Sequence, residues 1–396
     1  MSGATLISHG CRLNIAESEK IAGLLAHEDD LIIVNSCAVT AEAVKTARQA
    51  IRRAKRDQPE ARIVVTGCAA QTEPETFRAM VEVDAIVPNT AKLDFARYAP
   101  TRAPRNAPRP SHARTFLPVQ NGCDHRCTFC IIPYGRGPSR SLPAGGVIEE
   151  IKAAVDQGAK EVVLTGVDLT AYGADLPGQP SLGSLVARIL KLVPELPRLR
   201  LSSLDPCEVD DVLFDLIAHE SRLMPHVHLS LQAGDDMILK RMKRRHSRAQ
   251  AVDLVATLKA LRPDIAIGAD LIAGFPTEDE AMFANTLALV DDCTIALAHI
   301  FPYSPRAGTP AARMPQLARD IIKDRAARLR AAAARRKAAW LKEQVGQVTD
   351  VLVELDGTSG HAANFARVAF AAAQPNSIRR IRVTAVDGES LIGVAA

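Results

Sequence analysis

From Arg114 to Tyr303 the sequence repeats one pattern roughly six times: a short apolar run, a turn of glycine and small polar residues, then an amphipathic stretch. The expected strands are Arg114–Gln120, Glu161–Leu164, Leu199–Ser202, His226–Leu231, Ile265–Ile272 and Ile295–Ile300. Between them lie expected helices at Val147–Gln157, Leu182–Leu192, Val209–Ala218, Ala249–Leu261 and Thr277–Val290, the last capped by Thr277. Strands joined through helices pair in parallel and need a helical cover, so this run predicts a barrel or partial barrel. Glycine and polar residues follow each strand, as in Thr165-Gly166-Val167-Asp168, Ser203-Leu204-Asp205 and Gly274-Phe275-Pro276. That rim is where barrel enzymes hold their chemistry.

The loop after the first of these strands is the chemically loudest stretch of the chain. Cys123, Cys127 and Cys130 stand at C-x3-C-x2-C spacing. A zinc site draws on paired C-x2-C knuckles and four protein ligands, and no fourth Cys or His follows at such spacing. A [4Fe–4S] cluster normally takes four thiolates, so three leave one iron open to a group that is not protein.

Upstream, short Val/Ile runs again alternate with helices, at Thr5–Ser8, Leu31–Val34, Ile63–Thr66 and Ala85–Val87, predicting a parallel sheet covered on both faces. Cys11, Cys37 and Cys68 each follow a strand, and parallel strand ends share one edge. These three are candidates for a second three-thiolate site, or for unrelated core cysteines. Cys207 and Cys293 have no cysteine at ligand spacing and read as structural.

Pro100 to Ser111 is a Pro/Arg/Ala stretch without hydrophobic period and reads as a linker. Arg319–Gln344 reads as one long basic helix. Beyond it, apolar runs at Gln347–Leu355, Phe365–Phe370, Ile378–Val386 and Leu391–Val394 predict a small all-β barrel or sandwich. The expected domains are 1–99, a linker over 100–112, a core over 113–338 and a β domain over 339–396. No apolar run approaches the roughly 20 residues of a membrane span, and Met1–Lys20 lacks a signal peptide's apolar core. A cytoplasmic protein without a membrane partner is the expectation, in which cysteines serve as metal ligands or free thiols. The net charge of +4 does not itself define a nucleic-acid partner, but basic residues cluster, as in Lys240–Arg248.

The Cys123–Cys130 loop resembles the signature of the radical S-adenosylmethionine (SAM) enzymes. The resemblance implies that the open iron chelates the cofactor and that reductive cleavage gives a 5′-deoxyadenosyl radical. It also implies cofactor contacts at Phe129, Thr165, Gly166, Ser202, Ser203, Gly274 and Phe301. His9-Gly10-Cys11-Arg12-Leu13-Asn14, Asn35-Ser36-Cys37 and Thr66-Gly67-Cys68 further resemble the N-terminal domain of the methylthiotransferases. In that family the three cysteines hold an auxiliary [4Fe–4S] cluster that carries the sulfur. Val351–Glu354 and Asn364–Val368 resemble its C-terminal nucleic-acid-binding (TRAM-like) barrel. The connection around His27–Asp30 is shorter than the family's usual one. The implied protein is a transferase with two [4Fe–4S] clusters and SAM, needing an electron donor and a sulfur donor of unknown identity.

The stretches Cys130–Ser141, Leu201–Pro206 and Phe301–Pro310 resemble most the branch acting on threonylcarbamoyladenosine next to the tRNA anticodon. Isopentenyladenosine in tRNA, or an aspartate of a ribosomal protein, are the alternatives within the family. A non-catalytic RNA-binding iron–sulfur redox sensor is the alternative of another class.

Overall fold

A computed structural model describes residues 3–26, 28–98 and 112–396; most of the expected linker, 100–111, and His27 lie outside the described residues. The chain divides into two compact units. The first comprises Met1–Ser111, Asn121–Arg140 and Ser304–Ala312; the second comprises His112–Gln120, Ser141–Tyr303 and Arg313–Ala396.

In the first unit β1 (Thr5–Ser8), β2 (Leu31–Ser36), β3 (Arg62–Gly67) and β4 (Ala85–Ile86) form one parallel sheet in chain order. α1 (Arg12–Leu24), α2 (Ala41–Asp57), α3 (Cys68–Thr72) and α4 (Pro74–Arg78) connect or follow these strands. Alternate residues of β2 face opposite ways. Leu31 and Ile33 pack with Ile21 and Leu25 of the α1 side, while Ile32 and Val34 pack with Val44, Ala47 and Ile51 of α2. Both faces of the sheet are therefore covered, as its unbroken apolar strands require.

In the second unit β5 (Thr115–Pro118), β8 (Glu161–Thr165) and β9 (Arg198–Leu201) are parallel neighbours. They are followed by the parallel set β10 (Ser203–Leu204), β11 (His226–Gln232), β12 (Ala266–Ala273) and β13 (Ile295–Pro302). Only Ser202 separates β9 from β10, so the strands form one open, partial (β/α)6 barrel. The two-residue strands β6 (Gln120–Asn121) and β7 (Arg140–Ser141), with α5 (Ile132–Arg136) between them in sequence, bracket the cysteine loop. The helices α6 (Ala144–Asp156), α7 (Leu182–Leu192), α8 (Asp211–His219), α9 (Asp236–Arg241), α10 (Arg248–Leu261) and α11 (Glu280–Asp292) intervene between the strands. Leu164, Leu201, Leu229, Leu271 and Ile295 share one apolar core with Val147, Leu185, Val255 and Phe283 of these helices.

The long helix α12 (Arg319–Glu343) leads to a closed five-stranded barrel, ordered β14-β15-β16-β18-β17. Its strands are β14 (Val348–Val353), β15 (Ser359–Ala362), β16 (Arg367–Ala369), β17 (Ile378–Asp387) and β18 (Ser390–Ala395). Closure removes exposed strand edges. Phe365, between β15 and β16, stands at φ 72° rather than in a strand. Its ring stacks with His226 and His361 at centroid distances of 4.9 and 4.7 Å, and Arg200 lies 4.8 Å over it. Below that ring Glu161 takes Arg200 Nε at 2.7 Å in a fully buried pair. These contacts join the C-terminal barrel to the start of the core strands.

Several expectations need correction. Thr277 does not cap α11; it sits at φ 68°, and the cap is Asp279, whose side chain accepts from Met282 N. A Gly-Phe-Pro turn immediately upstream delays the helix start. β15 was not foreseen, because Ser-Gly-His-Ala lacks the β-branched residues that signal a strand. Cys293 is buried, its thiol pushed up to about 12 by desolvation, but Cys207 is exposed and is not a core cysteine.

Candidate functional site

Both cysteine triads fall within the first unit. Cys11 directly precedes α1, Cys37 follows β2 and Cys68 opens α3 after β3. Neighbouring parallel strands thereby deliver all three to the sheet's C-terminal edge. A Cβ on Gly10 would come within 3.0 Å of Cys37 Sγ, so the first loop lies against the second cysteine. Burial raises the Cys37 thiol to about 11, and the charges of Cys11 and Cys68 add to that rise. Three cysteine sulfurs on one sheet edge are a donor set that suits a cationic metal centre, whose binding would displace the thiol protons.

Polar side chains shape this edge from behind. Ser36 Oγ donates to Thr66 O at 2.5 Å and accepts from Ala70 N at 3.1 Å, tying the Cys37 loop to the Cys68 turn. Gly67, at φ 94°, leaves no room for a side chain: a Cβ would lie 2.3 Å from Ser36 O. Asn14 Nδ2 donates to His9 O at 2.7 Å, and Asn35 Nδ2 donates to Asn14 O at 3.0 Å. Asn89 Nδ2 lies 3.6 Å from Cys68 Sγ and donates to Gly135 O at 2.7 Å.

That last bond reaches the other triad. Cys123, Cys127 and Cys130 are half-buried in a loop closed by Cys123 N donating to Gly137 O at 3.1 Å and Cys130 N to Cys127 O at 3.1 Å. The loop leads into α5, whose Gly135 would place a Cβ 3.4 Å from Cys68 Cβ. The next residue, Arg136, is 4 % exposed and donates to Glu17 and to Asn14 Oδ1. Burial opposes its charge, but Cys68, Glu17 and Cys11 more than compensate and hold it protonated. Lys92 completes the cluster by pairing with Glu17. Burial alone would raise the Glu17 carboxyl; Lys92 and Arg136 instead keep it below the usual range.

The segment 304–312 is bonded to both loops. Ser304 Oγ accepts from Ala41 N at 3.1 Å, Arg306 pairs with Glu73, and Ala311 N donates to Thr128 O at 2.9 Å. Sequence reading quoted Asn14 only as part of a motif and did not bring Glu17, Lys92 and Arg136 together with it.

In the second unit the expected cofactor positions occupy the C-terminal ends of the parallel strands. Thr165 ends β8, Ser202 and Ser203 lie at the β9–β10 break, Gly274 follows β12 and Phe301 is near the end of β13. Gln120, not foreseen, organises the first turn: its Oε1 accepts from Val167 N at 3.0 Å and Asp168 N at 2.9 Å. The missing side chain of Gly166 leaves Gln120 its place, since a Cβ would lie 2.8 Å from that oxygen. Among the described residues Ser202 Oγ is buried without a hydrogen-bond partner. Phe129 is half-buried and belongs to the first unit's loop. Lower on the inner wall Asp270 Oδ1 meets His228 Nε2 at 3.0 Å and His299 Nδ1 at 3.1 Å. A Cβ on Gly268 would strike the His228 ring, so glycine makes room for that histidine.

The basic run Lys240–Arg248 is largely engaged within the fold. Arg244 and Arg245 pair with Asp205, Arg245 also with Glu208, Arg248 with Asp292, and His246 is buried. Lys240 and Lys243 remain exposed.

An open parallel barrel with a three-cysteine loop after its first strand defines a radical SAM enzyme, and residues 117–290 match the Radical SAM superfamily. Residues 4–88 match the Uncharacterized protein family UPF0004. The threonylcarbamoyladenosine tRNA methylthiotransferase MtaB of Rickettsia prowazekii (strain Madrid E) is 48% identical over 381 residues, 91% of this chain and 89% of that protein. The tRNA-2-methylthio-N(6)-dimethylallyladenosine synthase of Erythrobacter litoralis (strain HTCC2594) is 35% identical, over 88% of this chain and 86% of that protein. The chain belongs to the radical SAM tRNA methylthiotransferase family. The radical SAM methyltransferase TsrM of Kitasatospora setae, solved with cobalamin and a [4Fe–4S] cluster, shares the fold. Its TM-score is 0.53 at 16% identity, over 79% of this chain and 74% of that one. The family uses SAM and [4Fe–4S] clusters, and the two thiolate triads suit such groups in number, charge and spacing.

Proposed function

We propose that this chain inserts a methylthio group into tRNA, converting N6-threonylcarbamoyladenosine next to the anticodon to its 2-methylthio derivative. The observation that carries this reading is the 48% identity, over 91% of the chain, to a protein named for that substrate. The two triads within one compact unit support it, because the chemistry asks for a radical source and a sulfur carrier side by side.

In this reading Cys123, Cys127 and Cys130 hold the radical-generating cluster, and Cys11, Cys37 and Cys68 hold the auxiliary one. When bound, the clusters and SAM supply electron transfer, hydrogen abstraction and the sulfur. The chain's own groups bind and orient. Thr165, Gly166, Ser202, Ser203, Gly274 and Phe301 are the strand-end positions for the cofactor, and Phe129 is its contact within the cluster loop. Arg136 and Asn89 set the backs of the thiolate loops. The division into residues 1–99, 113–338 and 339–396 assigns sulfur carriage, radical chemistry and RNA binding in that order. The setting is cytoplasmic, where tRNA, a reducing donor and a sulfur source meet; among the described residues no helix is long and apolar enough to cross a membrane.

The test is mass spectrometry of tRNA nucleosides from a strain lacking this chain. Threonylcarbamoyladenosine without its 2-methylthio derivative is expected; persistence of the methylthio nucleoside refutes the assignment.

A further inference from the structure

We propose that one flank of α2 is a docking surface for the phosphodiester backbone of the RNA substrate. This rests on the reading of the substrate as RNA and adds where that RNA lies. α2 carries six basic and two acidic residues among its seventeen. Lys45, Arg48, Arg52 and Arg56 recur at three- and four-residue spacing, so they line one flank over about 17 Å of helix. Val44, Ala47, Ile51 and Ala54, about 125° round the helix, are buried against the sheet, and Arg48 at the border is half-buried.

The flank is free to meet a polyanion. Lys45, Arg52 and Arg56 are exposed, and the nearest carboxylates are weak competitors: Glu42 sits 3.4 Å from Lys45, and Glu82 sits 3.9 Å from Arg52. Among the described residues no carboxylate pairs with Arg48 or Arg56. Pairs at such distances with at least one partner in solvent contribute about 0–1 kcal/mol and yield to phosphates.

Position gives the flank its meaning. Thr40 caps α2 three residues after Cys37, its side chain accepting from Ala43 N. The helix therefore starts at the thiolate edge and runs back along the sheet. A nucleotide presented to that edge has its neighbouring phosphates over Lys45 first and Arg56 last. A solvated helix face would need no such alignment with the site.

The experiment measures binding of a synthetic tRNA anticodon stem–loop to the reconstituted full chain, across a salt series. The triple variant Lys45→Gln/Arg52→Gln/Arg56→Gln is expected to bind about tenfold or more weakly, and its log–log salt slope to fall by roughly 2, at 0.7–0.9 per lost phosphate contact. Iron content and uncoupled SAM cleavage stay at wild-type level, which shows that folding and clusters are intact. Lys152→Gln on α6, a single solvent-facing charge outside α2, is the control and leaves affinity unchanged. Unaltered affinity and slope in the triple variant overturn the proposal, as does an equal loss per charge in Lys152→Gln. If the wild-type chain binds the stem–loop but never modifies tRNA, the substrate reading fails while the docking surface stands.

Discussion

The guanidinium of Arg136 and the carboxylate of Glu17 meet in a buried two-pronged pair, Nη1–Oε1 at 2.9 Å and Nη2–Oε2 at 3.1 Å. One residue follows Cys130 by a single short helix; the other lies in the first turns of the helix that Cys11 begins. The pair thus ties the Cys123–Cys130 loop to the sheet edge that carries Cys11. Arg136→Met is expected to cost about 3 kcal/mol, the low end for breaking a buried pair, because Lys92 still neutralises Glu17. Urea unfolding of Arg136→Met, Glu17→Gln and the double variant measures this as a coupling energy. A coupling below about 0.5 kcal/mol would show that the pair does not hold the loops.

The two triads have separable consequences. Cys127→Ala is expected to abolish SAM cleavage. Cys37→Ala is expected to keep cleavage, to lose sulfur insertion, and to bind about four irons per chain against about eight for the wild type. Iron analysis and 5′-deoxyadenosine release under dithionite read both. Full product from Cys37→Ala would sink the auxiliary role.

The strand–helix order was legible because it is written in local periods, and the cysteines were legible because chemistry restricts their spacing. Long-range polar pairing was not. Nothing near Arg136 announces a partner over a hundred residues upstream, and nothing near Gln120 announces that it holds the turn at Val167 and Asp168. Lys240–Arg248 read as a surface charge run because sequence shows charge but not the carboxylates that fold back onto it. Asp205 takes two of those arginines from a different β/α unit. The strand at Ser359–Ala362 escaped because its pairing with Arg367–Ala369, rather than its composition, makes it β.

Phe365 joins the C-terminal barrel to the core through rings and guanidinium groups, in addition to the apolar cluster that Ala266 and Ala296 share with Trp340 and Val351. Phe365→Ala removes two stacked histidine contacts and two arginine contacts. The expected loss is about 2 kcal/mol. Phe365→Leu should recover part of it, since area returns but ring stacking does not. Hydrogen exchange should show faster opening of 348–353 and 359–362 in the alanine variant; unchanged protection there would refute the anchor.

His246 makes stability pH-dependent. Burial, aided by Arg244, lowers its pKa to about 4, and its Nε2 lies 3.2 Å from Leu231 O. The folded state therefore binds this proton less readily than the unfolded chain, whose histidine titrates near 6.5. Its stabilising contribution is complete above pH 6.5 and is lost as pH falls toward 4. At pH 5.5 the loss is about 1.4 kcal/mol. His246→Gln should flatten that part of the urea midpoint against pH. An unaltered slope between pH 7.5 and 5.5 would show that His246 does not titrate in this way.

The turn at Gly166 offers the sharpest test of the cofactor rim. Gln120 Oε1 occupies the space a Cβ would need and accepts the two backbone donors that shape Thr165–Asp168. Gly166→Ala pushes that oxygen away and leaves Val167 N and Asp168 N without it, at about 1–3 kcal/mol for each buried donor. SAM affinity should fall by tenfold or more in equilibrium dialysis, while the iron content of the reconstituted protein stays unchanged. Gln120→Glu keeps the accepting oxygens and should retain most of the affinity; Gln120→Leu should behave like Gly166→Ala. If both Gly166→Ala and Gln120→Leu bind SAM as the wild type does, the cofactor does not rest on this turn.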